Sequence, residues 1–144
     1  VTGTVPSTHV AVQVAAPAEA VYAFVTDPTN LPRWAAGLAG ATVELREGRW
    51  VTDSPMGEVE IAFAPRNEHG VADHDVTLPG GEVVSNPLRV LPNGDGCDVL
   101  FTVRQRPDMT PEDLARDVAA VRQDLERLAA LLGAGGPAPT APSQ

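Results

Sequence analysis

The sequence predicts an α+β domain: a curved antiparallel sheet of about seven strands, two short N-terminal helices and one long C-terminal helix. Three observations predict it. Short segments of alternating polarity fill the middle of the chain, each ended by turn-forming residues. Two brief helical patterns separate the first of these segments from the rest. A long apolar stripe at alternating spacings of four and three runs through the last third.

Residues 1–7 hold Gly, Pro and Thr and read as a flexible arm before a domain over 8–133. From Thr8, Val10, Val12 and Val14 point one way while His9, Ala11 and Gln13 point the other, the pattern of a strand with one buried face. Pro17 opens a short helix to about Thr26, with Val21, Phe24 and Val25 at helical spacing. Asp27-Pro28 ends it, since proline pushes the residue before it out of the helical region. A second short helix is predicted from Leu31 to Leu38. Six strands follow: Ala41–Glu47, Arg49–Asp53, Glu58–Ala64, Val71–Leu78, Val83–Leu91 and Asp98–Arg104. Glu47-Gly48, Pro55-Met56-Gly57, Asn67 to Gly70, Pro79-Gly80-Gly81 and Pro92 to Gly96 separate them, and such short connections imply antiparallel hairpins. Thr110-Pro111-Glu112-Asp113 is a helix start: a capping hydroxyl, proline at the first helical position and two acids at the positive end. Leu114, Val118, Val121, Leu125, Leu128 and Leu132 then form the stripe, and Gly133 stops it. The stripe also fits a coiled-coil seam, but a sheet in the same chain is the better partner. Residues 134–144, rich in Ala, Gly and Pro, are expected to be a disordered tail.

Composition removes several classes of function. The net charge of −9 repels phosphate backbones and anionic lipid, so neither nucleic acid nor a membrane surface is an expected partner. All ten cationic side chains are Arg, which excludes lysine Schiff-base chemistry; the bias itself fits a GC-rich genome. Cys97 is the single cysteine, so no internal disulfide or cysteine-rich zinc site exists, and a reducing cytoplasm fits. No apolar run approaches the roughly 20 residues of a membrane helix, and the N-terminus lacks the pattern of a secretory signal. No cofactor is expected.

The stretch Val14-Ala15-Ala16-Pro17-Ala18-Glu19-Ala20-Val21-Tyr22-Ala23-Phe24-Val25-Thr26-Asp27-Pro28, followed by Asn30-Leu31-Pro32-Arg33-Trp34, resembles the SRPBCC superfamily. That superfamily includes START domains, the birch-pollen-allergen fold and the polyketide cyclase/dehydrase group. The element order strand, two short helices, six strands and long helix is its helix-grip order, and the resemblance spans about Thr8 to Leu132. It implies a cavity between sheet and long helix for lipids, polyketides or other apolar molecules. It also implies a place for Trp34 at or near that cavity.

Candidate site residues are those that strand parity turns inward. Val76 and Leu78 mark the apolar face of their strand and His74 shares it, while Asp73 and Asp75 point away. His69, Asp73, His74 and Asp75 therefore do not converge as metal ligands, and no metal site is expected. His74 reads either as a general base or hydrogen-bond partner in the cavity, or as a core histidine satisfied by a neighbour. Asn86 shares a face with Val84, Leu88 and Val90. It either orients a ligand carbonyl or bonds locally at an Asn86-Pro87 bulge. Arg89 is a surface residue unless that bulge switches its parity, when it would bind a carboxylate or enolate. Trp34 and Trp50, the two tryptophans, are candidates to stack on a flat ligand; Trp34 reads either as lining the pocket or as plugging the core, and for Trp50 the core reading leads. Met56 suits a flexible lid or an edge shield, and Asp53 a second acid/base group or a solvated turn acid. Leu114, Val118 and Val121 on the helix stripe should form one wall. Cys97 reads as an inert buried thiol.

The expected activity is binding of a polyketide- or lipid-like molecule, with cyclase/dehydratase chemistry at His74, Asn86 and Arg89 as its sharper form. A non-catalytic carrier and a protein-interaction module of co-chaperone type are the alternatives. The expected state is monomer or homodimer.

Overall fold

The computed structural model describes residues 3–133, so the predicted 134–144 tail lies outside the described residues. The first strand, β1 (Ser7–Val14), buries Val10 and Val14 and leaves Ala11 and Gln13 exposed, as alternation requires. Helix α1 (Ala18–Val25) starts after Pro17 and buries Val21, Tyr22 and Val25. Thr26 closes it through a 2.7 Å bond from its hydroxyl to the Tyr22 carbonyl. The expected second helix is broken into pieces. A 3₁₀ turn (Pro28–Asn30), capped by the Asp27 carboxylate, precedes a single α-turn, α2 (Leu31–Trp34), and a further 3₁₀ turn (Ala36–Leu38) follows Ala35, whose extended backbone interrupts the helix.

Seven further strands follow: β2 (Glu44–Arg46), β3 (Arg49–Ser54), β4 (Gly57–Phe63), β5 (His74–Thr77), β6 (Val83–Asn86), β7 (Leu88–Asn93) and β8 (Gly96–Arg104). All pairing is antiparallel, in a five-stranded sheet of order β2-β3-β4-β5-β6 and a three-stranded sheet of order β1-β8-β7. The count is thus eight rather than about seven, because the predicted strand Val83–Leu91 divides. Pro87 has no N–H for a ladder, and the chain changes sheets there. Asn86 pairs with His74, whereas Leu88 pairs with Phe101 of β8. The Pro87 carbonyl accepts a 3.0 Å bond from Thr102 N–H, which pins the crossing to β8.

Turn chemistry sets the hairpins. Glu47 (φ 53°) and Gly48 (φ 79°) both take positive φ, the conformation that a two-residue hairpin between β2 and β3 demands. Gly70 (φ 71°) lies against β7, and a Cβ there would sit 2.0 Å from the Val90 carbonyl oxygen.

The last element, α3 (Pro111–Gly133), begins with a reciprocal capping box. Asp113 N–H donates to the Thr110 hydroxyl (3.1 Å) and Thr110 N–H to the Asp113 carboxylate (3.0 Å). The bond from Thr110 N–H, with smaller help from the Thr110 hydroxyl and Arg116, holds the Asp113 carboxyl below the usual carboxylate range. Its stripe packs on β1 and β8, with α2 at its side, and Leu125 and Leu128 are completely buried. Val10, Val21, Leu88, Val90 and Val99 complete the centre of the core. No helix among the described residues is long and apolar enough to cross a membrane.

Candidate functional site

Where α3 leaves β1 and β8 it roofs a cavity of about 400 Å³. β4 and β5 supply the floor through Val59, Ile61, His74 and Val76, and Phe101 of β8 stands at one end. Leu31 and Trp34 of α2 with Leu38 form the side wall, and Val121 and Leu125 of α3 the roof. Pro55 and Met56, on the turn between β3 and β4, border the mouth opposite Gly37. Only Ser54, His74 and Asp124 bring polar side chains to this lining.

His74 is 7% exposed and held on three sides. The Phe63 ring lies 4.7 Å away at a tilt, and the Phe101 ring meets it edge-on at 6.0 Å. Its Nδ1 lies 3.1 Å from the Ala72 carbonyl oxygen. A carbonyl only accepts, so Nδ1 carries the proton and Nε2 keeps a lone pair. Burial pushes the imidazole below its ordinary pKa, outweighing the Ala72 carbonyl and the Asp73 and Asp75 charges, which act the other way. The ring is therefore neutral near pH 7, with an acceptor available in an apolar cavity.

Trp34 is 3% exposed and lines the cavity, and its indole Nε1–H is buried without a hydrogen-bond partner among the described residues. Its backbone is fixed from above, where Arg127 donates to the Trp34 carbonyl at 2.8 Å. Asp124 joins the same clamp, accepting from Ala36 N–H (3.1 Å) and from Arg127 (3.0 Å). Asp124 was not among the sequence candidates, although its position three residues after Val121 places it beside the inward stripe. The polar groups at the cavity thus come from α3 as well as from the strands.

The remaining candidates are distributed more widely. Met56 lies at the mouth, 65% exposed. Asp53 is exposed, and its neighbour Ser54 takes the cavity face instead. Trp50, half-buried, lines a separate depression with Pro28 and Phe63. Val121 lines the cavity, whereas Leu114 and Val118 pack on the core outside the lining. Asn86 stands opposite His74 in the β5–β6 register but lines a second chamber, beyond Phe101. Arg89 lies outside the cavity. No bulge switches its parity, and its guanidinium grips Asp73 through Nε (3.0 Å) and a terminal nitrogen (2.9 Å). That fork, with the Leu88 N–H bond, holds the Asp73 carboxyl below the usual range despite partial burial. Cys97 is buried, and burial pushes its thiol up, away from the reactive thiolate.

A cavity roofed by a long C-terminal helix and floored by antiparallel strands is the arrangement implied by the resemblance. The family described as polyketide cyclase / dehydrase and lipid transport matches residues 6–133. The chain belongs to that family. With it comes the SRPBCC superfamily and its helix-grip fold. Among solved structures, XoxI from Bacillus cereus aligns with a TM-score of 0.68 at 12% identity, over 88% of this chain and 94% of its own. CalU16 from Micromonospora echinospora aligns at 0.62 and 19% identity, over 92% of this chain and 77% of its own. DynU16, from the dynemicin biosynthetic locus, aligns at 0.65 and 19% identity, over 91% of this chain and 48% of that longer one. At these identities the likeness is one of fold. No curated protein matches the chain.

Proposed function

We propose that this polyketide cyclase / dehydrase and lipid transport family member binds a polyketide- or lipid-like molecule in the cavity beneath α3. The observation that carries the reading is His74: a neutral imidazole with an available Nε2 acceptor in a mostly apolar cavity of about 400 Å³. Small-molecule sites have this form, a cavity of roughly 300–1,000 Å³ with a few convergent polar groups. The ligand brings a hydroxyl or enol to Nε2.

Binding fits better than chemistry, because Arg89 is engaged by Asp73 and Asn86 lies in the neighbouring chamber. One observation favours a catalytic second reading: neutral His74 is already in the base form. In that reading Nε2 takes a proton from carbon next to a ligand carbonyl, and the electron pair moves to the oxygen. Native mass spectrometry of freshly purified protein tests binding by showing a retained ligand, and calorimetry with naphthalene tests the cavity directly. V121W, which fills the cavity from its roof, should abolish both signals while retaining a cooperative melt. Unchanged naphthalene binding in V121W would sink the proposal. The catalytic reading requires that H74Q lose turnover of a poly-ketone substrate while still binding it.

A further inference from the structure

We infer that the cavity selects an uncharged ligand with a hydroxyl at each end, the inner one donating to His74 and the outer one to Asp124, and that it turns carboxylic acids away. This rests on the reading of the cavity as a ligand site and adds the ligand's polarity. Three polar side chains line the space, Ser54, His74 and Asp124. Once its bonds within the protein are made, each offers the ligand acceptors alone.

Ser54 gives its hydroxyl proton to the Gly57 carbonyl at 2.8 Å and accepts from Met56 N–H at 3.1 Å. His74 Nδ1–H is turned to the Ala72 carbonyl, and Nε2 has no partner among the described residues. Trp34 Nε1 is the one side-chain nitrogen or oxygen among them that is sealed from contact and unpartnered. Nε2 of His74 is therefore open to the cavity that the ring lines, whereas the sealed indole N–H is no donor to a ligand.

Asp124 completes the set at the mouth. Its Oδ1 accepts from Ala36 N–H at 3.1 Å and from Arg127 at 3.0 Å. Ala35 and Gly37, on either side of Ala36, both line the cavity, so the carboxylate stands at its rim. Oδ2 makes no hydrogen bond among the described residues and is not sealed either.

The polarity of the ligand follows from this inventory. A carboxylate brings only acceptors. It would also leave its hydration for a lining without a cationic side chain, in a chain of net charge −9. A hydroxyl supplies the missing proton at each end, in a neutral bond at Nε2 and a charge-assisted one at Oδ2. An ammonium gains less, because Arg127, outside the lining, already offsets the Asp124 charge.

Calorimetric titration of the full chain near neutral pH tests the inference. The probes are naphthalene, 2-naphthol, the 2,6- and 2,7-naphthalenediols, 2-naphthoate and 2-naphthylmethylammonium. The better diol should bind about fivefold more tightly than 2-naphthol, and 2-naphthoate about tenfold more weakly. D124N keeps an acceptor for Ala36 N–H and puts an amide donor in place of Oδ2. It should bring the diol down to the affinity of 2-naphthol and raise that of 2-naphthoate about threefold, with naphthalene unchanged. The wild-type series decides by itself should D124N lose its fold. Diols no tighter than 2-naphthol, 2-naphthoate as tight as 2-naphthol, or an ammonium tighter than the diols would overturn the inference. So would preferences in a folded D124N that match those of wild type. In each of these cases naphthalene binding leaves the cavity reading standing. Failure of every probe to bind overturns both readings.

Discussion

His74 is neutral in the folded protein because its ring is enclosed by Phe63, Phe101 and the cavity wall, where a charge would lose its hydration. The consequence for stability has a definite sign. The folded-state pKa lies below the ordinary value of 6.5, so the unfolded chain binds the proton more readily. The contribution of His74 is complete above about pH 6.5 and is lost as pH falls below that value toward the folded pKa. Urea unfolding of wild type and H74Q, compared at neutral pH and near pH 5, measures it. Wild type should lose more stability than H74Q over that interval; equal losses would show that the ring is solvated. His74 was legible in the sequence because strand parity with Val76 fixes its direction over two residues. Asp124 was not, because what gives it a role is the Ala36 N–H, 88 residues away in sequence.

At the scale of elements, the passage from β6 to β7 shows why local pattern reaches only so far. Val83–Leu91 reads as one strand, with a bulge at Asn86-Pro87 the only interruption its pattern suggests, yet its halves join different sheets. The choice is made by distant partners: the Pro87 carbonyl by Thr102 N–H, and Leu88 N–H by the Asp73 carboxylate at 2.8 Å. By contrast, β1 and α3 were legible nearly to the residue, because each buries one face in the core between them and its periodicity records that burial. The Asp73 bond to Leu88 separates two variants that would otherwise look alike. R89A removes a half-exposed ion pair and should cost at most about 1 kcal/mol. D73A removes the same pair and also leaves the N–H of fully buried Leu88 without its acceptor, which adds about 1–3 kcal/mol. Denaturant midpoints that are equal in D73A and R89A would show that the crossing does not depend on this bond.

For the whole molecule, one helix both completes the core and roofs the ligand site, so stability and binding are coupled through α3. Leu125 and Leu128 lie one turn apart on it and are equally buried, but only Leu125 lines the cavity. Truncation of either should cost about 2–5 kcal/mol, the range for a leucine deleted from a packed interior. Their responses to ligand should differ. The void left by L128A lies in the core, away from the site, so naphthalene should raise its melting temperature by as much as it raises that of wild type. The void left by L125A opens into the cavity, where a ligand can occupy it. There the same concentration of naphthalene, or of a bulkier methylnaphthalene, should give a larger shift than in wild type, since ligand stabilisation grows with the ratio of concentration to dissociation constant. Thermal melts of the three proteins with and without ligand make the comparison. Identical shifts in L125A and L128A would place the ligand away from α3 and separate the two roles of the helix.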